Sequence, residues 1–197
     1  MDDGYYSITK FYELLSGQAE NILKKFNCVP SVPHTSESYS RECEELNSFL
    51  VRDAYKYEKN NLLKTTLLVK SDEIIGFISL CTGTTKLTKQ YRKGHKIFYA
   101  GIDEYPTVNV THFAIDNRYQ HTAMHYGHVI FNDTLKRIAN GVVSVVGVTL
   151  IMVVEALEEA RPFYEKGFSF QVHDSRNTNG KVNLAITIPE LKIVVNG

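Results

Sequence analysis

The sequence predicts an α/β fold of the α+β kind, with helices packed on a central sheet. Three stretches carry that expectation. Residues 107–140 read strand, short loop, helix: Thr107, Val108, Val110, Phe113 and Ile115 are β-branched or aromatic with near period-two alternation, and Tyr126, Val129, Ile130, Leu135 and Ile138 recur at helical spacing after a polar turn. Residues 62–69 and 73–80 are apolar runs joined by Lys70-Ser71-Asp72, the pattern of an antiparallel hairpin. Residues 148–153 are a further β-branched and aliphatic run with the pattern of a buried strand.

The remaining elements follow in order. Phe11, Leu14, Leu15, Ile22 and Leu23 mark a first helix within residues 8–26, broken near Gly17, and Val29-Pro30-Ser31-Val32-Pro33 stops regular structure. Residues 44–57 predict a second helix, with Leu46, Phe49, Leu50 and Ala54 on one face. Residues 155–166 predict a short helix that starts near Glu158, because Pro162 is tolerated only in its first turn, with Gly167 as a left-handed cap. Residues 168–172 and 182–188 predict two closing strands around a loop at 174–181.

At 197 residues the chain is expected to be one domain, with a core over about residues 28–190, long enough to bury roughly 70% of its unfolded surface. Lys+Arg and Asp+Glu are 22 each, so global charge advertises neither nucleic acid nor membrane, and any such contact must come from a local patch. Cys28, Cys43 and Cys81 lie far apart with no metal-ligand spacing; reduced thiols and no metal site are expected. The acidic start is followed by no long apolar run, and the most hydrophobic segment, residues 142–154, is too short to span a bilayer. A cytoplasmic protein without membrane contact is therefore expected.

Two local features invite function. In the loop at residues 116–122, with Thr122 as a plausible N-cap, the first-turn amides of the following helix have no internal partner and suit an anion such as phosphate. An ordinary strand-to-helix connection fits equally well, since the loop has no glycine-rich signature. The second feature is residues 84–96, which hold Lys86, Lys89, Arg92, Lys93 and Lys96 and no acidic residue. Such a run is commonly a solvated connector, and it is also a surface suited to a phosphate backbone.

The strand at 108–115, the loop at Arg118-Tyr119-Gln120, the strand at 148–153 and Ala160-Arg161-Pro162-Phe163-Tyr164-Glu165-Lys166-Gly167-Phe168 together resemble the GCN5-related N-acetyltransferase (GNAT) superfamily. Cys43-Glu44-Glu45-Leu46-Asn47-Ser48-Phe49-Leu50, then Ala54 and Tyr57, Gly76-Phe77-Ile78-Ser79-Leu80, the basic segment and Tyr105-Pro106 extend the likeness to the acetyltransferase toxins of bacterial toxin–antitoxin modules. It covers about residues 28–170. Phe163-Tyr164-x-x-Gly167-Phe168 is the most specific piece.

This resemblance implies a mixed, mostly antiparallel sheet with splayed central strands, acetyl-CoA as cofactor and an amine as acceptor. It implies that backbone groups around Phe113, Ala114 and Ile115 bond the acetyl carbonyl and pantetheine arm. The loop from Gln120 through His121, Thr122, Ala123, Met124 and His125 to Gly127 would receive the pyrophosphate. Tyr164 would protonate the departing thiolate, a role suited to a phenol within reach of sulfur. His112 is the second catalytic candidate, as a base toward the amine. For the toxin subgroup the implied acceptor is aminoacyl-tRNA, met by Lys86, Lys89, Arg92, Lys93 and Lys96. An antitoxin partner and, by analogy, a homodimer are also implied.

The phosphate loop departs from the family pattern of Gln or Arg, two residues, Gly, one residue, then Gly or Ala. Without a gap both small positions are altered; a two-residue insertion would align His125-Tyr126-Gly127 with its end and save one glycine. His125 would then either block close approach of the pyrophosphate or supply it a donor. Three readings stay open: an acetyltransferase for aminoacyl-tRNA, one for a protein or small-molecule amine, and a binding module of the same fold with an impaired cofactor loop.

Overall fold

A computed structural model describes residues 1–31, 36–97, 101–178 and 180–196, with residues 174–178 in backbone alone. In chain order the elements are β1 (Gly4–Ser7), α1 (Ile8–Leu15), α2 (Ala19–Leu23), α3 (Glu37–Arg52), α4 (Ala54–Lys59), β2 (Lys64–Lys70), β3 (Glu73–Thr85), α5 (Lys89–Gly94), β4 (Tyr105–Ile115), α6 (Tyr126–Arg137), α7 (Val143–Val145), β5 (Leu150–Leu157), α8 (Arg161–Phe168), β6 (Gln171–Thr178), β7 (Lys181–Thr187) and α9 (Ile188–Asn196). They build a seven-stranded mixed sheet, flanked by helices, in the order β1-β2-β3-β4-β5-β7-β6. The β1/β2, β2/β3, β5/β7 and β6/β7 pairs are antiparallel, and β4 lies parallel to β5. That parallel register joins Thr107, Val108, Asn109 and Val110 to Leu150, Ile151, Met152 and Val153, and β4 itself runs on to Ile115. Among the described residues no helix is long and apolar enough to cross a membrane.

The chain divides into two compact units. The first, residues 1–81 and 112–131, has a core that includes Ile8, Phe11, Leu23, Phe26, Phe49, Leu50, Leu67 and Phe77. Ser7 caps α1 by accepting from Lys10 N, and Ser36 caps α3 by accepting from Tyr39 N. The helix expected at 44–57 is in fact two. α3 starts seven residues earlier than its apolar face suggests, because Ser36 supplies the cap, and the chain breaks at Asp53, where φ is −120°. Where β3 passes β4 the approach is close: a Cβ on Gly76 would meet Ile115 Cδ1 at 2.6 Å and the Ala114 carbonyl at 2.8 Å, so glycine is required there. Cys28 Sγ donates to the Cys43 carbonyl at 3.3 Å, and the hydrogen bond with the Cys43 thiol, together with burial, pushes the Cys28 thiol up.

The second unit, residues 82–111 and 132–197, has a core that includes Tyr91, Tyr105, Leu150, Met152 and Ala185. β5 bulges between Val153 and Ala156; Glu155 adopts φ +52°, and its N–H donates to Asn183 Oδ1 at 2.9 Å. Pro162 sits in the first turn of α8, as expected, but the left-handed cap is Ser169 at φ +59°, not Gly167. Gly167 lies inside the helix, which runs on far enough to bury Phe168.

The sequence reading missed β1, a four-residue edge strand whose partner, β2, lies sixty residues away. It also missed α9, whose Pro189 reads as a breaker but is tolerated in a first turn. It placed a loop at 174–181 where β6 continues to Thr178. Val32 and Pro33, part of the expected break before α3, lie outside the described residues, as does residue 179 of that loop.

Candidate functional site

The loop leaving β4 is fixed before it becomes available to a ligand. Asp116 is fully buried, and its carboxylate accepts from Asn27 N at 3.1 Å, Arg118 N at 3.0 Å, Arg118 Nε at 2.8 Å and Arg118 Nη2 at 3.1 Å. Four donors satisfy a buried charge that would otherwise be costly. Arg118 Nη1 also donates to Glu73 at 2.8 Å, and Tyr119 donates its hydroxyl to the same carboxylate. These two donors hold the Glu73 carboxyl below its ordinary range. Gln120 Nε2 then donates to the Cys28 carbonyl at 2.9 Å and the Ile115 carbonyl at 2.8 Å. The Gln120 side chain is thus a clamp on the loop, and its backbone N–H is taken by the Asp116 carbonyl at 3.2 Å.

Beyond Gln120 the backbone opens. Among the described residues, the N–H groups of His121, Thr122, Ala123 and Met124 donate to no protein acceptor. His125 N bonds the Thr122 carbonyl, and Val129 N bonds the His125 carbonyl to start α6. Thr122 is therefore not the helix cap; its hydroxyl donates to the Tyr119 carbonyl at 3.1 Å. His121 and His125 both take left-handed backbone, at φ +55° and +46°. A left-handed residue beside a right-handed one turns neighbouring amides to one side, which suits an anion. Both imidazoles are exposed, as are Ala123 and Met124, so the loop presents amides and histidines to solvent. Gly127 lies in the first turn of α6.

The other expected cofactor residues line β4. Phe113 packs on Phe131 with ring centroids 5.4 Å apart, Ala114 is buried, and Ile115 gives its carbonyl to Gln120. His112 stacks on Phe49, with centroids 3.6 Å apart and planes 3° from parallel. Burial pushes its imidazole down to about 4, so it is neutral near pH 7 and a weak proton acceptor.

In the second unit Tyr164 sits on α8, 6% exposed, against Phe163 at 5.1 Å and Phe170 at 6.4 Å between ring centroids. The basic segment is not a bare connector. Thr88 caps α5 by accepting from Tyr91 N at 3.1 Å, and Leu87, Tyr91 and Ile97 are buried while Lys86, Lys89, Lys93 and Lys96 are exposed. Arg92 is half-buried. His95 Nδ1 meets Glu190 at 2.8 Å, at the end of α5.

Sequence reasoning missed Glu73, Asp116 and the roles of Arg118 and Tyr119. Only the spacing Asp116-x-Arg118 hinted at them, since Glu73 comes from a distant strand. Among the described residues no cluster of three or more His, Cys, Asp or Glu side chains is placed to hold a metal ion.

No family model matches the chain, and no curated protein matches it in sequence. Solved structures do match in fold. A tyrosine-to-phenylalanine mutant of KacT superposes with a TM-score of 0.72 at 17% identity, over 98% of this chain and 99% of that one. AtaT complexed with acetyl-methionyl-tRNAfMet gives 0.69 at 20% identity, over 98% and 99%. A mutant AtaT toxin bound to the C-terminus of the antitoxin AtaR and acetyl-CoA gives 0.62 at 17% identity, over 89% and 91%.

Proposed function

We propose that this chain, which has the GNAT fold of the acetyltransferase toxins, is a single acetyl-CoA-dependent N-acetyltransferase domain. The observation that carries the reading is the run of amides from His121 to Met124 without protein acceptors among the described residues, ahead of the N-terminus of α6. Such a run suits a diphosphate, which needs several donors and gains from the helix dipole. His121, Thr122, Ala123, Met124, His125 and Gly127 would hold that diphosphate, with Gln120 as the clamp behind them. Phe113, Ala114 and Ile115 would line the pantetheine arm. Acetyl-CoA supplies the activated acyl group when bound. Tyr164 would donate its phenolic proton to the leaving thiolate.

For the acceptor we propose the α-amino group of an aminoacyl-tRNA, with Lys86, Lys89, Lys93 and Lys96 toward the RNA backbone and Arg92 beside them. Support comes from their exposure on and around one helix and from the AtaT complex with acetyl-methionyl-tRNAfMet. A cytoplasmic toxin with an antitoxin partner and a homodimeric state belongs to the same proposal. A protein or small-molecule amine as acceptor is favoured by the balanced charge of 22 and 22.

Calorimetric titration with acetyl-CoA tests the cofactor, with micromolar affinity expected; absence of binding at ~1 mM would leave the binding-module reading in its place. Incubation with labelled acetyl-CoA then separates the acceptors. Label on aminoacyl-tRNA supports the toxin reading, and label on polyamines or peptides alone supports the other.

A further inference from the structure

One face of β4 carries buried polar side chains without hydrogen-bond partners among the described residues. Tyr105, Thr107 and Asn109 alternate along the strand and so share a face. Tyr105 and Thr107 are each 2% exposed. Among the described residues Tyr105 Oη, Thr107 Oγ1 and Asn109 Oδ1 are buried and make no hydrogen bond. Two more such atoms, Tyr91 Oη and Arg92 Nε, belong to α5. Tyr91 packs in one cluster with Tyr105, Leu87 and Ile97. Gly83 on β3 leaves room for the row, since a Cβ there would meet Asn109 Nδ2 at 2.5 Å and Thr107 Oγ1 at 3.3 Å.

Buried polar atoms without partners destabilise a fold, and phenylalanine or valine would fill the same space without that penalty. The five of them on β4 and α5 ask for a ligand that completes their bonds. Resting on the acetyltransferase reading above, we infer that this row is the recognition subsite for the acyl-nucleoside end of an RNA acceptor. Its hydroxyls both donate and accept, the amide oxygen accepts, and the guanidinium N–H donates. That set complements ribose hydroxyls and an acyl carbonyl. The charged group among these five atoms is a guanidinium, which disfavours an oligocation such as a polyamine even with the Glu190 carboxylate acting on Tyr91. The segment that carries Tyr91 and Arg92 also carries the exposed Lys86, Lys89, Lys93 and Lys96, suited to the polyanion attached to that end. A ligand reaches the sealed atoms by displacing α5, which is held at its start by the Thr88 cap and at its end by the contact of His95 with Glu190.

Tyr105→Phe and Thr107→Val test the subsite, because each deletes a buried unpartnered oxygen with little change of volume. The probe is an amide-linked 3′-aminoacyl-adenosine, titrated calorimetrically without acetyl-CoA, so the result does not depend on catalysis. Expected are an affinity reduced about tenfold in each variant, acetyl-CoA affinity unchanged and a melting midpoint equal to or above that of the parent. Equal probe affinity in parent and variants overturns the inference, as does absence of binding to the parent at ~5 mM. Asn109→Ala, at a partly exposed position, serves the same comparison if either variant fails to fold. Loss of acetyl-CoA binding by the parent would sink the acetyltransferase reading and leave this probe measurement standing.

Discussion

Arg118 grips Asp116, two residues before it, through two contacts: Nε to Oδ1 at 2.8 Å and Nη2 to Oδ2 at 3.1 Å. The carboxylate is fully buried, while the guanidinium side chain keeps 44% of its exposure and reaches on to Glu73. The loop is thereby tied to the start of β3 and, through Asn27 N, to the segment before α3. Asp116→Ala would leave the N–H groups of Asn27 and Arg118 without their acceptor and take two contacts from a guanidinium that keeps Glu73 and solvent, at a cost of about 3 kcal/mol. Urea unfolding measures this, and acetyl-CoA affinity should fall with it. Arg118→Lys should not restore the parent midpoint, because an ammonium cannot make the two-point contact.

His125 occupies left-handed backbone at φ +46°, a conformation that glycine adopts without strain. His125→Gly should keep the loop, change stability by less than about 1 kcal/mol and tighten acetyl-CoA binding several-fold by baring the amides. Weaker binding in the variant would mean that the imidazole itself meets a phosphate.

Burial lowers His112 from its ordinary 6.5 to about 4. The unfolded chain then takes up the proton first as pH falls. The stability contributed by the neutral buried ring is complete above the ordinary value and drains away between 6.5 and about 4, by up to roughly 3 kcal/mol. His112→Phe keeps a ring on Phe49 and removes the titration. The difference in urea midpoint between pH 7 and pH 4.5 should therefore be smaller in the variant, and an identical difference would exclude His112 as its source.

Tyr164→Phe retains the buried ring on α8 and deletes its hydroxyl. Turnover should drop about a hundredfold while the melting midpoint holds. Unchanged turnover would remove Tyr164 from the mechanism.

Replacing Lys86, Lys89, Lys93 and Lys96 by alanine should weaken tRNA binding and flatten its salt dependence. The slope of log affinity against log salt should lose about 0.7–0.9 per phosphate contact removed. Acetyl-CoA affinity should not change.

The candidate site was only partly legible before the fold. The polar turn after β4, the helix after it and the basic segment could be read from composition and period, because each is a local property of a dozen residues. The clamp could not. Glu73 and Cys28 reach the loop from positions far away in sequence, and no local pattern announces a contact across ninety residues. The same holds for the left-handed cap of α8, which fell on Ser169 because burial of Phe168 outweighed the preference for Gly167.

By itself the sequence determined the alternation of strands and helices, the cysteine and charge inventory, and which segments would be apolar, since these follow from residue type and spacing. Tertiary structure alone decided that His112 lies neutral against Phe49, that the Gln120 side chain clamps two carbonyls, and that buried polar atoms on β4 make no hydrogen bond among the described residues. Desolvation and hydrogen-bond satisfaction depend on what surrounds an atom, and that is set by contacts between residues far apart in the chain.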